Sequence, residues 1–300
     1  ELAKAGVLDK YGVKVIGVDL EAIEKGEDRE IFKETMQKLG IKTPASDICY
    51  TVEEAEKIAT TIGFPIVVRP AYTMGGAGGG FAYNKEEFLT IANRGLSMSL
   101  TSQILIEESI RGWEELEFEV VRDSKNQMIC VCTIENIDPV GVHTGDSFCA
   151  APMLTIPQPV IDRLRKMAFK IVETIGVIGG TNVQFAHDPK TDRAVIIEIN
   201  PRTSRSSALA SKATGFPIAL ISAKLAAGLT LDEIPYWRDG TLDKYTPSGD
   251  YVVLKFARWA FEKFRDVKDE LGTQMKAVGE VMAIGKTYKE TLQKAIRGLE

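Results

Sequence analysis

One short run of residues constrains the chain most: it extends from Arg193 to Arg205 and reads Arg-Ala-Val-Ile-Ile-Glu-Ile-Asn-Pro-Arg-Thr-Ser-Arg. Its first half, Ala194 to Ile199, has the apolar pattern of a buried strand. Because alternate residues of a strand share a face, Glu198 and Asn200 should point the same way. The proline that follows cannot donate to a sheet and ends the strand. The run therefore predicts a strand that delivers two polar side chains at its carboxyl end.

The side chains at that strand end suit a metal ion and an anion. The carboxylate and amide oxygens of Glu198 and Asn200 are ligands that Mg²⁺ prefers, together with phosphate oxygens. Arg202 and Arg205 follow, where an oxyanion beside the metal would need neutralising. An edge strand with solvated polar ends explains the same residues, so this run alone leaves both interpretations open.

The preceding strand adds a third oxygen donor. Residues Thr181 to Ala186 alternate polar and apolar, and a short turn joins them to the first run. If the hairpin closes around Thr191, Gln184 lies opposite Glu198 on the same face. Gln184, Glu198 and Asn200 then converge on one small volume, which favours the metal site over the solvated edge. A register slip of one residue would reverse this conclusion.

A glycine-rich loop is the second strong feature. A buried strand, Ile66 to Val68, delivers Arg69, and the loop Thr73 to Gly80 holds five glycines in eight residues. The loop contains no Gly-Lys-Ser/Thr and no helix follows it directly, so it is not a P-loop. Consecutive backbone N–H groups in such a loop can surround phosphates, and the loop can open and close. We expect phosphate binding here, with a flexible surface loop as the alternative.

Two further basic residues are candidates for anion contacts. Arg29 lies in the first turn of a predicted helix, Asp28 to Leu39, where a positive charge is unfavourable unless an anion is near. A solvated surface arginine is the alternative. His143 lies in the irregular segment 138–147 between glycines. A loop histidine is weak evidence of catalysis, so a hydrogen-bonding or phosphate-contact role is favoured.

Another predicted strand, Glu115 to Val121, alternates strictly between two faces. Glu115, Glu117 and Glu119 lie on one face, and apolar residues lie on the other. The simplest interpretation is a solvated sheet face, and we expect it to hold for two of the three glutamates.

Composition excludes several classes of function. The 300 residues, 44% hydrophobic and 26% charged, are typical of a globular protein with a sizeable core and roughly two domains or one large one. A net charge of −5 without a basic run predicts no nucleic-acid partner. No apolar run approaches the roughly 20 residues of a membrane span. The four cysteines, Cys49, Cys130, Cys132 and Cys149, are too few for a disulfide framework. Cys130 and Cys132 alternate with apolar neighbours and should be buried core residues.

Apolar periodicity predicts further elements. A long helix should span Pro157 to Ile175, a strand Asp250 to Phe256 and a last helix Thr287 to Gly298. The amino-terminal end reads as a helix, Leu2 to Leu8, and a strand, Val13 to Val18. Because a lone helix and strand cannot form a core, we expect the remnant of a preceding α/β unit there.

Two motifs resemble a known family. Residues 69–80 read Arg-Pro-x-x-Thr-Met-Gly-Gly-x-Gly-Gly-Gly, and residues 198–217 read Glu-x-Asn-Pro-Arg-x-Ser-Arg-Ser-Ser-Ala-Leu-Ala-Ser-Lys-Ala-Thr-Gly-Phe-Pro. Both resemble the ATP-grasp superfamily and, within it, the amino-terminal, carboxyphosphate half of carbamoyl phosphate synthetase large chains. The resemblance covers essentially all 300 residues. It implies a mixed α/β (α+β) fold whose two subdomains hold the nucleotide between them.

The resemblance also implies a division of the chain. Residues 1–26 would be the last piece of a pre-ATP-grasp domain, and residues 27–228 the ATP-grasp domain, with a lid subdomain at about 41–107. Residues 229–300 would form the carboxyl-terminal part of the carboxyphosphate domain and lead to an oligomerisation domain.

The family's reaction follows from the same resemblance. ATP would phosphorylate bicarbonate to carboxyphosphate, which ammonia converts to carbamate, with two Mg²⁺ or Mn²⁺ ions and a K⁺ ion as a further candidate. The implied partners are the remainder of the large chain and a glutaminase small subunit, with roles in arginine and pyrimidine biosynthesis. A cytoplasmic location is implied. A mitochondrial one stays open, because the chain does not begin with methionine and its amino terminus is taken to be missing.

The resemblance assigns roles residue by residue. Two ions would share three ligands, one held by Gln184 and Glu198 and the other by Glu198 and Asn200. Arg202 and Arg205 would face the bicarbonate and the transferred phosphoryl group, and Asn200 would complete the catalytic set. The residues implied to contact the nucleotide are Arg29, Arg69, Gly75, Gly76, Glu108, Ile110, Glu115, Gly141, Val142, His143, Gln184 and Glu198.

Two other functions compete with this one. A biotin-carboxylase-type enzyme also makes carboxyphosphate, but it would need a biotin carrier and usually a lysine in place of Arg69. A nucleotide-binding module that is inactive as an isolated fragment is the second alternative. A bicarbonate-stimulated ATPase assay with and without biotin separates the three.

Overall fold

The fold is built on a seven-stranded sheet and a four-stranded sheet. This computed structural model describes residues 2–3, 5–71, 78–236, 240–263, 268–273 and 275–299. The helices, α1 to α9 in chain order, span Val7–Lys10, Leu20–Glu27, Arg29–Lys38, Val52–Ile62, Lys85–Met98, Gln158–Ile175, Arg205–Thr214, Ile218–Ala226 and Tyr288–Arg297. The strands, β1 to β13, span Ser46–Cys49, Ile66–Pro70, Gly80–Ala82, Ile104–Glu108, Glu114–Arg122, Met128–Asn136, Cys149–Ala151, Gly179–Asp188, Arg193–Asn200, Pro235–Tyr236, Gly240–Thr241, Val252–Trp259 and Ala277–Gly285.

The larger sheet has seven antiparallel strands in the order β13-β12-β7-β6-β5-β8-β9. Helix α6 packs on one of its faces because its apolar residues recur every three or four positions and meet the apolar side of β5. Phe118 of β5 and Phe185 of β8 meet edge to face beneath it, with ring centroids 5.8 Å apart. Gly176 ends the helix in the left-handed region, at φ 88°.

The smaller sheet has four antiparallel strands in the order β1-β4-β2-β3 and is covered by α4 and α5. Both helices begin at a side chain that accepts a hydrogen bond from the third helical N–H: Thr51 for α4 and Asn84 for α5. In each case the glutamate at that third position, Glu54 or Glu87, accepts a backbone N–H from the residue before the cap. Residues 109–113 then lead the chain into the larger sheet.

Most predicted elements are confirmed. Helix α6 lies within one residue of its predicted start, and α9 within one residue of both predicted ends. All four cysteines are free, as expected, and the predicted burial of Cys130 and Cys132 is confirmed; Cys49 and Cys149 are buried as well. Strand β13 was not predicted. Among the described residues, no helix combines the length and the apolar character that a membrane span requires.

The strand predicted for Val13 to Val18 was wrong. These residues form no strand, and Val13 and Ile16 are exposed. The preceding helix, α1, is only four residues long. A strand is stable only when a neighbour satisfies its backbone hydrogen bonds, and the described part of the chain provides none here.

The predicted domain boundaries stay predictions, but two observations bear on them. The smaller sheet and its helices extend from Ser46 to Glu108, close to the range expected for a lid. Strands β12 and β13 belong to the same sheet as β5 and β8, so the larger sheet continues beyond residue 228.

One close contact predicts a stability effect. Gly180 of β8 lies against α8: a Cβ added to it would stand 2.6 Å from Ile218 Cγ2 and 3.2 Å from Ser222 Oγ. Gly180→Ala should therefore lower the free energy of unfolding by about 1–3 kcal/mol. Gly279→Ala is the matched control, because Gly279 also lies in a strand and a Cβ there meets no atom within 4 Å. Urea denaturation of both variants measures the difference, and equal losses would contradict the packing argument.

Candidate functional site

The hairpin of β8 and β9 brings together the residues that the sequence predicts as metal ligands. Gln184 pairs directly with Glu198, and Asn182 pairs with Asn200. The predicted pairing of Gln184 with Glu198 is confirmed. Directly paired residues share a face of the sheet, so Gln184, Glu198 and Asn200 lie on one side.

A β-bulge creates this pairing. Next to the turn, Phe185 pairs with Ile196, whereas Gln184 pairs with Glu198, so Ile197 is an extra residue in β9. The hairpin closes between Asp188 and Arg193, slightly earlier than a turn centred on Thr191 would. Without the extra residue Gln184 would face Ile197, and the glutamate would point elsewhere. Bulges of this kind re-aim side chains near functional sites.

The hydrogen bonds of these residues define which atoms remain for a ligand. Gln184 Nε2 donates to Asn182 Oδ1 at 3.0 Å, which leaves the Gln184 amide oxygen as its second polar atom. Asn200 Nδ2 donates to Glu198 Oε1 at 3.1 Å, and Asn200 Oδ1 accepts from Arg202 Nη2 at 3.3 Å. A metal held by Glu198 and Gln184 fits this arrangement. A metal held by Glu198 and Asn200 requires a half-turn of the Asn200 amide.

No cluster of three or more His, Cys, Asp or Glu side chains that could hold a metal occurs in the described part of the chain. The predicted site differs from such a cluster because it combines one carboxylate with two amides. Neutral oxygen ligands with few charges suit a divalent ion that is also bound by phosphate oxygens.

A cleft of about 320 Å³ lies between the two sheets, with Gln184 and Glu198 in its wall. Gly79 and Gly80, at the end of the glycine-rich loop, line the same cleft. The other predicted nucleotide contacts that line it are Arg29, Arg69, Ile110, Glu115, Gly141, Val142 and His143. The structure thus brings together residues that are far apart in sequence. Gly75 and Gly76, also predicted to bind the nucleotide, lie outside the described residues.

Three predicted catalytic residues lie beside the cleft and do not line it. Asn200 lines an adjoining cleft of about 380 Å³, which shares Glu198 with the first. Arg202 and Arg205 are exposed beyond the end of β9. Arg205 begins α7, and its Nη1 lies 3.3 Å from Met275 Sδ.

The side chain of Glu108 is engaged outside the cleft. It forms a two-pronged ion pair with Arg193, of which one contact, Arg193 Nη1 to Glu108 Oε2, measures 3.2 Å. Its Oε1 also accepts the Ala45 backbone N–H at 2.8 Å. Any contact of Glu108 with a nucleotide would therefore come from its backbone, and Ile110 is the residue of this segment that lines the cleft.

Two arginines, Arg29 and Arg69, place positive charge in the wall of the cleft. Arg69 pairs with Glu107 at 2.9 Å, across neighbouring strands of the smaller sheet. Desolvation by the surrounding protein and the charge of Arg69 lower the pKa of Arg29, although its side chain still reaches solvent. Two like charges that face one cleft favour the binding of an anion between them. Arg29 is exposed and lines the cleft, so an anion bound there could reach its guanidinium group.

Glu115 is buried at the floor of the cleft. It is 5% exposed and lines the cleft on the side of the larger sheet. Burial raises the pKa of Glu115 well above its usual value, and the charges of Glu117 and Glu198 raise it further. A carboxyl group with a raised pKa can accept a hydrogen bond from a ligand hydroxyl group and, when protonated, can also donate one.

His143 enters the cleft on a braced loop. Its Nδ1 accepts the Gly145 backbone N–H at 3.0 Å, so that nitrogen carries no proton. Burial lowers the pKa of His143. A neutral imidazole whose other nitrogen carries the proton can donate one hydrogen bond into the cleft, which agrees with the hydrogen-bonding role predicted for it.

The expectation of a solvated face for two of the three glutamates of β5 was wrong. Glu115, Glu117 and Glu119 are all buried, at 5%, 2% and 0% exposure. Glu117 accepts hydrogen bonds from the side chains of Asn136, Asn182 and Ser206, and Glu119 accepts them from Asn182 and Ser207. The face is covered by the start of α7, and the neighbouring strands β6 and β8 supply Asn136 and Asn182 as donors. Alternation defines a face, but it does not show what covers that face.

Glu119 should give folding a measurable pH dependence. Burial raises the pKa of Glu119 to about 8, from 4.5. Between these values the folded state holds a proton that the unfolded state has lost, so stability should fall as the pH rises through this window. Glu119→Gln should flatten that dependence by on the order of 1 kcal/mol per pH unit. Urea denaturation at pH 5 and pH 8 compares the variant with the native chain. Parallel pH profiles would contradict the prediction.

Some residues of the site were not predicted. Ile197, Thr144 and Thr273 line the cleft, and the buried Lys255 contacts the backbone of Thr144. Thr273 lies in a segment without strand or helix, where no periodicity marks its location. Lys255 stands at the centre of an apolar run, and a lone lysine in a predicted buried strand was a signal that could have identified it.

Comparison with known proteins places the chain in a family. Residues 28–234 match the model described as carbamoyl-phosphate synthase L chain, ATP binding domain. The chain is 57% identical over 304 aligned residues to the carbamoyl phosphate synthase large chain of Archaeoglobus fulgidus, and 53% identical over 302 to that of Thermotoga petrophila. Each alignment covers 100% of this chain and 28% of the relative. The chain therefore spans about a quarter of the length of these relatives.

Solved structures show the same fold at low sequence identity. A biotin carboxylase from Campylobacter jejuni, solved as a β-γ-ATP complex, matches with TM-score 0.75 and 18% identity over 98% of this chain and 70% of that one. The biotin carboxylase domain of the Hydrogenobacter thermophilus 2-oxoglutarate carboxylase, solved with MgADP, ADP and bicarbonate, matches with TM-score 0.75 and 19% identity over 98% and 69%. The predicted ATP-grasp fold is confirmed. The chain belongs to the family of carbamoyl-phosphate synthase large-chain ATP-binding domains.

Proposed function

We propose that the cleft binds ATP and uses it to phosphorylate bicarbonate to carboxyphosphate, which ammonia then converts to carbamate. One observation carries this proposal: Gln184 and Glu198 pair on one face and line the same cleft as Arg29, Arg69 and the end of the glycine-rich loop. Phosphoryl transfer needs correct positioning and neutralisation of oxygen charge, and these residues can provide both.

The proposed reaction has two steps. A bicarbonate oxygen attacks the γ-phosphorus of ATP, the bond to the bridging oxygen breaks and ADP leaves. The nitrogen of ammonia then attacks the carbonyl carbon, and phosphate leaves with the bonding electrons. Arg202 and Arg205 follow the carboxyl end of β9, where they would balance the charge of the bicarbonate and of the transferred group.

Gln184, Glu198 and Asn200 would hold the metal ions of this reaction. When bound, Mg²⁺ or Mn²⁺ supplies positive charge that offsets the charge developing on phosphate oxygens. The chain's own contribution is to fix these ligands: the bulge at Ile197 aims Glu198, and the hydrogen bond to Asn182 orients the Gln184 amide. Two ions, and a K⁺ ion as a further candidate, are part of the proposal.

The nucleotide itself would lie between the two sheets. Arg29, Arg69, Gly75 and Gly76 are proposed to contact its phosphates, and Gly141 to His143 to close one side of the site. Glu115 lies at the floor, where its buried carboxyl group would accept or donate hydrogen bonds to ribose hydroxyls. The backbone at Glu108 and the side chain of Ile110 would hold the adenine.

A bicarbonate-stimulated ATPase assay with Mg²⁺ or Mn²⁺ tests this function directly. ADP release should require bicarbonate, should not depend on biotin, and in the presence of ammonia should be accompanied by carbamate. Release that requires biotin would support a biotin-carboxylase-type enzyme, which the fold alone also permits. Nucleotide binding without turnover would support a binding module. In the whole protein, the remainder of the large chain and a glutaminase subunit are the proposed partners.

A further inference from the structure

One row of residues crosses four neighbouring strands of the larger sheet. Glu115 of β5 pairs with Asn136 of β6, Asn136 pairs with Cys149 of β7, and Cys149 pairs with Lys255 of β12. Residues paired in this way project from the same face of a sheet. The side chain of Lys255 therefore leaves the sheet on the side that carries Glu115, which is the floor of the cleft.

Lys255 supports the loop that closes one side of the cleft. The loop, residues 137–148, connects β6 to β7. Lys255 Nζ donates to the Thr144 backbone carbonyl at 3.0 Å, and Thr144 and His143 both line the cleft. The lysine is only 8% exposed, so this hydrogen bond is shielded from water.

The carboxyl-terminal segment fixes the same loop at two other points. The fully buried carboxylate of Asp146 accepts the backbone N–H groups of Lys276, at 2.8 and 2.9 Å, and of Ala277, at 2.6 Å. The His143 backbone N–H donates to the Gly272 carbonyl at 2.8 Å. The loop is thus held in place by residues that follow the range matched by the family model.

The charge of Lys255 has no carboxylate in direct contact. Among the described residues, no Asp or Glu oxygen is paired with its Nζ within 4.0 Å. Burying an ammonium group is unfavourable unless hydrogen bonds or nearby opposite charges offset the loss of its hydration. Burial raises the pKa of Glu115, and the Lys255 charge acts against that rise. The same charge would attract an anionic ligand in the cleft.

We propose that Lys255 is a positioning residue of the cleft: its buried ammonium group holds the loop that carries Gly141 to His143 and supplies the positive charge that faces Glu115 along the floor. The link to nucleotide binding rests on the proposed function, but the bracing of the loop does not. Lys255 touches no reacting atom and acts through the loop and through Glu115.

The test combines hydrogen exchange with nucleotide binding. Lys255→Met should speed amide exchange within residues 138–147 and weaken binding of a non-hydrolysable ATP analogue with Mg²⁺ by on the order of tenfold. The kcat at saturating ATP should change less than the Kd, because the residue does not contact the transferred group. Lys255→Arg, which keeps a charged donor, should recover part of both losses. If Lys255→Met does not fold, Lys255→Gln replaces it as the neutral variant.

Val253→Ala is the control that distinguishes loss of the Lys255 contact from general destabilisation of the sheet. Val253 is buried two residues away on the same strand, so its truncation destabilises the sheet without removing a charge. It should leave the Kd within about twofold of the native value. Unchanged exchange in the loop of the neutral Lys255 variant, or an equal loss of affinity in Val253→Ala, would overturn the proposal. A native chain that binds no nucleotide would refute the proposed function, and loop exchange would still decide the role of Lys255.

Discussion

Glu198→Gln should lower bicarbonate-dependent ATP hydrolysis by on the order of a thousandfold, because it removes the one carboxylate among the proposed metal ligands. The pairing of Glu198 with Gln184 places this group at the wall of the cleft, and its Oε1 already accepts the amide of Asn200. A glutamine retains the volume and one oxygen but loses the charge. The loss should therefore appear mainly in metal-dependent turnover, measured as ADP release over a range of Mg²⁺ concentrations.

The control is Glu53→Gln, which alters an exposed carboxylate on α4 outside the cleft. It should retain native turnover. Thermal denaturation should show little change in either variant, since Glu198 is itself exposed in the open cleft. A Glu198→Gln variant with native activity and native metal dependence would show that the hairpin does not hold the ion.

Arg202→Met should reduce turnover by about a hundredfold and leave the affinity for ATP within about twofold of the native value. Arg202 does not line the cleft in which the nucleotide would lie; it stands beyond the strand end and donates to Asn200 Oδ1 at 3.3 Å. From this position the guanidinium group of Arg202 can bind the transferred phosphoryl group more strongly as negative charge develops on it. Steady-state kinetics and equilibrium binding of an ATP analogue measure the two quantities separately.

Two further substitutions sharpen this result. Arg202→Lys keeps the charge but loses the planar pair of donors, so it should recover only part of the turnover. Arg297→Met removes an exposed arginine of α9 and should behave as the native chain does. A loss of ATP affinity with unchanged turnover in Arg202→Met would contradict the role assigned to this arginine.

The sequence predicted which side chains face each other better than it predicted the backbone geometry that pairs them. The alternation in residues 181–186, the polar pair at the end of β9 and an assumed turn around Thr191 together predicted that Gln184 faces Glu198. The bulge that produces this pairing was not predictable, because an extra residue at Ile197 changes the backbone and leaves the side-chain pattern intact. The turn position and the bulge compensate each other, and the pairing results from both.

Burial was harder to predict than direction. Period-two alternation in β5 showed correctly that Glu115, Glu117 and Glu119 share a face. Whether that face is wet depends on which distant segments cover it. The cover comes from Ser206 and Ser207 at the start of α7, nearly ninety residues further along the chain, and these supply hydroxyl donors to Glu117 and Glu119. Such long-range matching does not appear in any local window.

The support of the loop that carries His143 has a practical consequence for dividing proteins of this kind into modules. A fragment that ends at residue 234, where the family match stops, would lack Lys255, Gly272 and the backbone amides that bind Asp146. Chimeras that exchange this domain between relatives should therefore be joined beyond Gly285, after the last strand of the sheet. A junction placed earlier would combine the His143 loop of one parent protein with the supporting residues of the other.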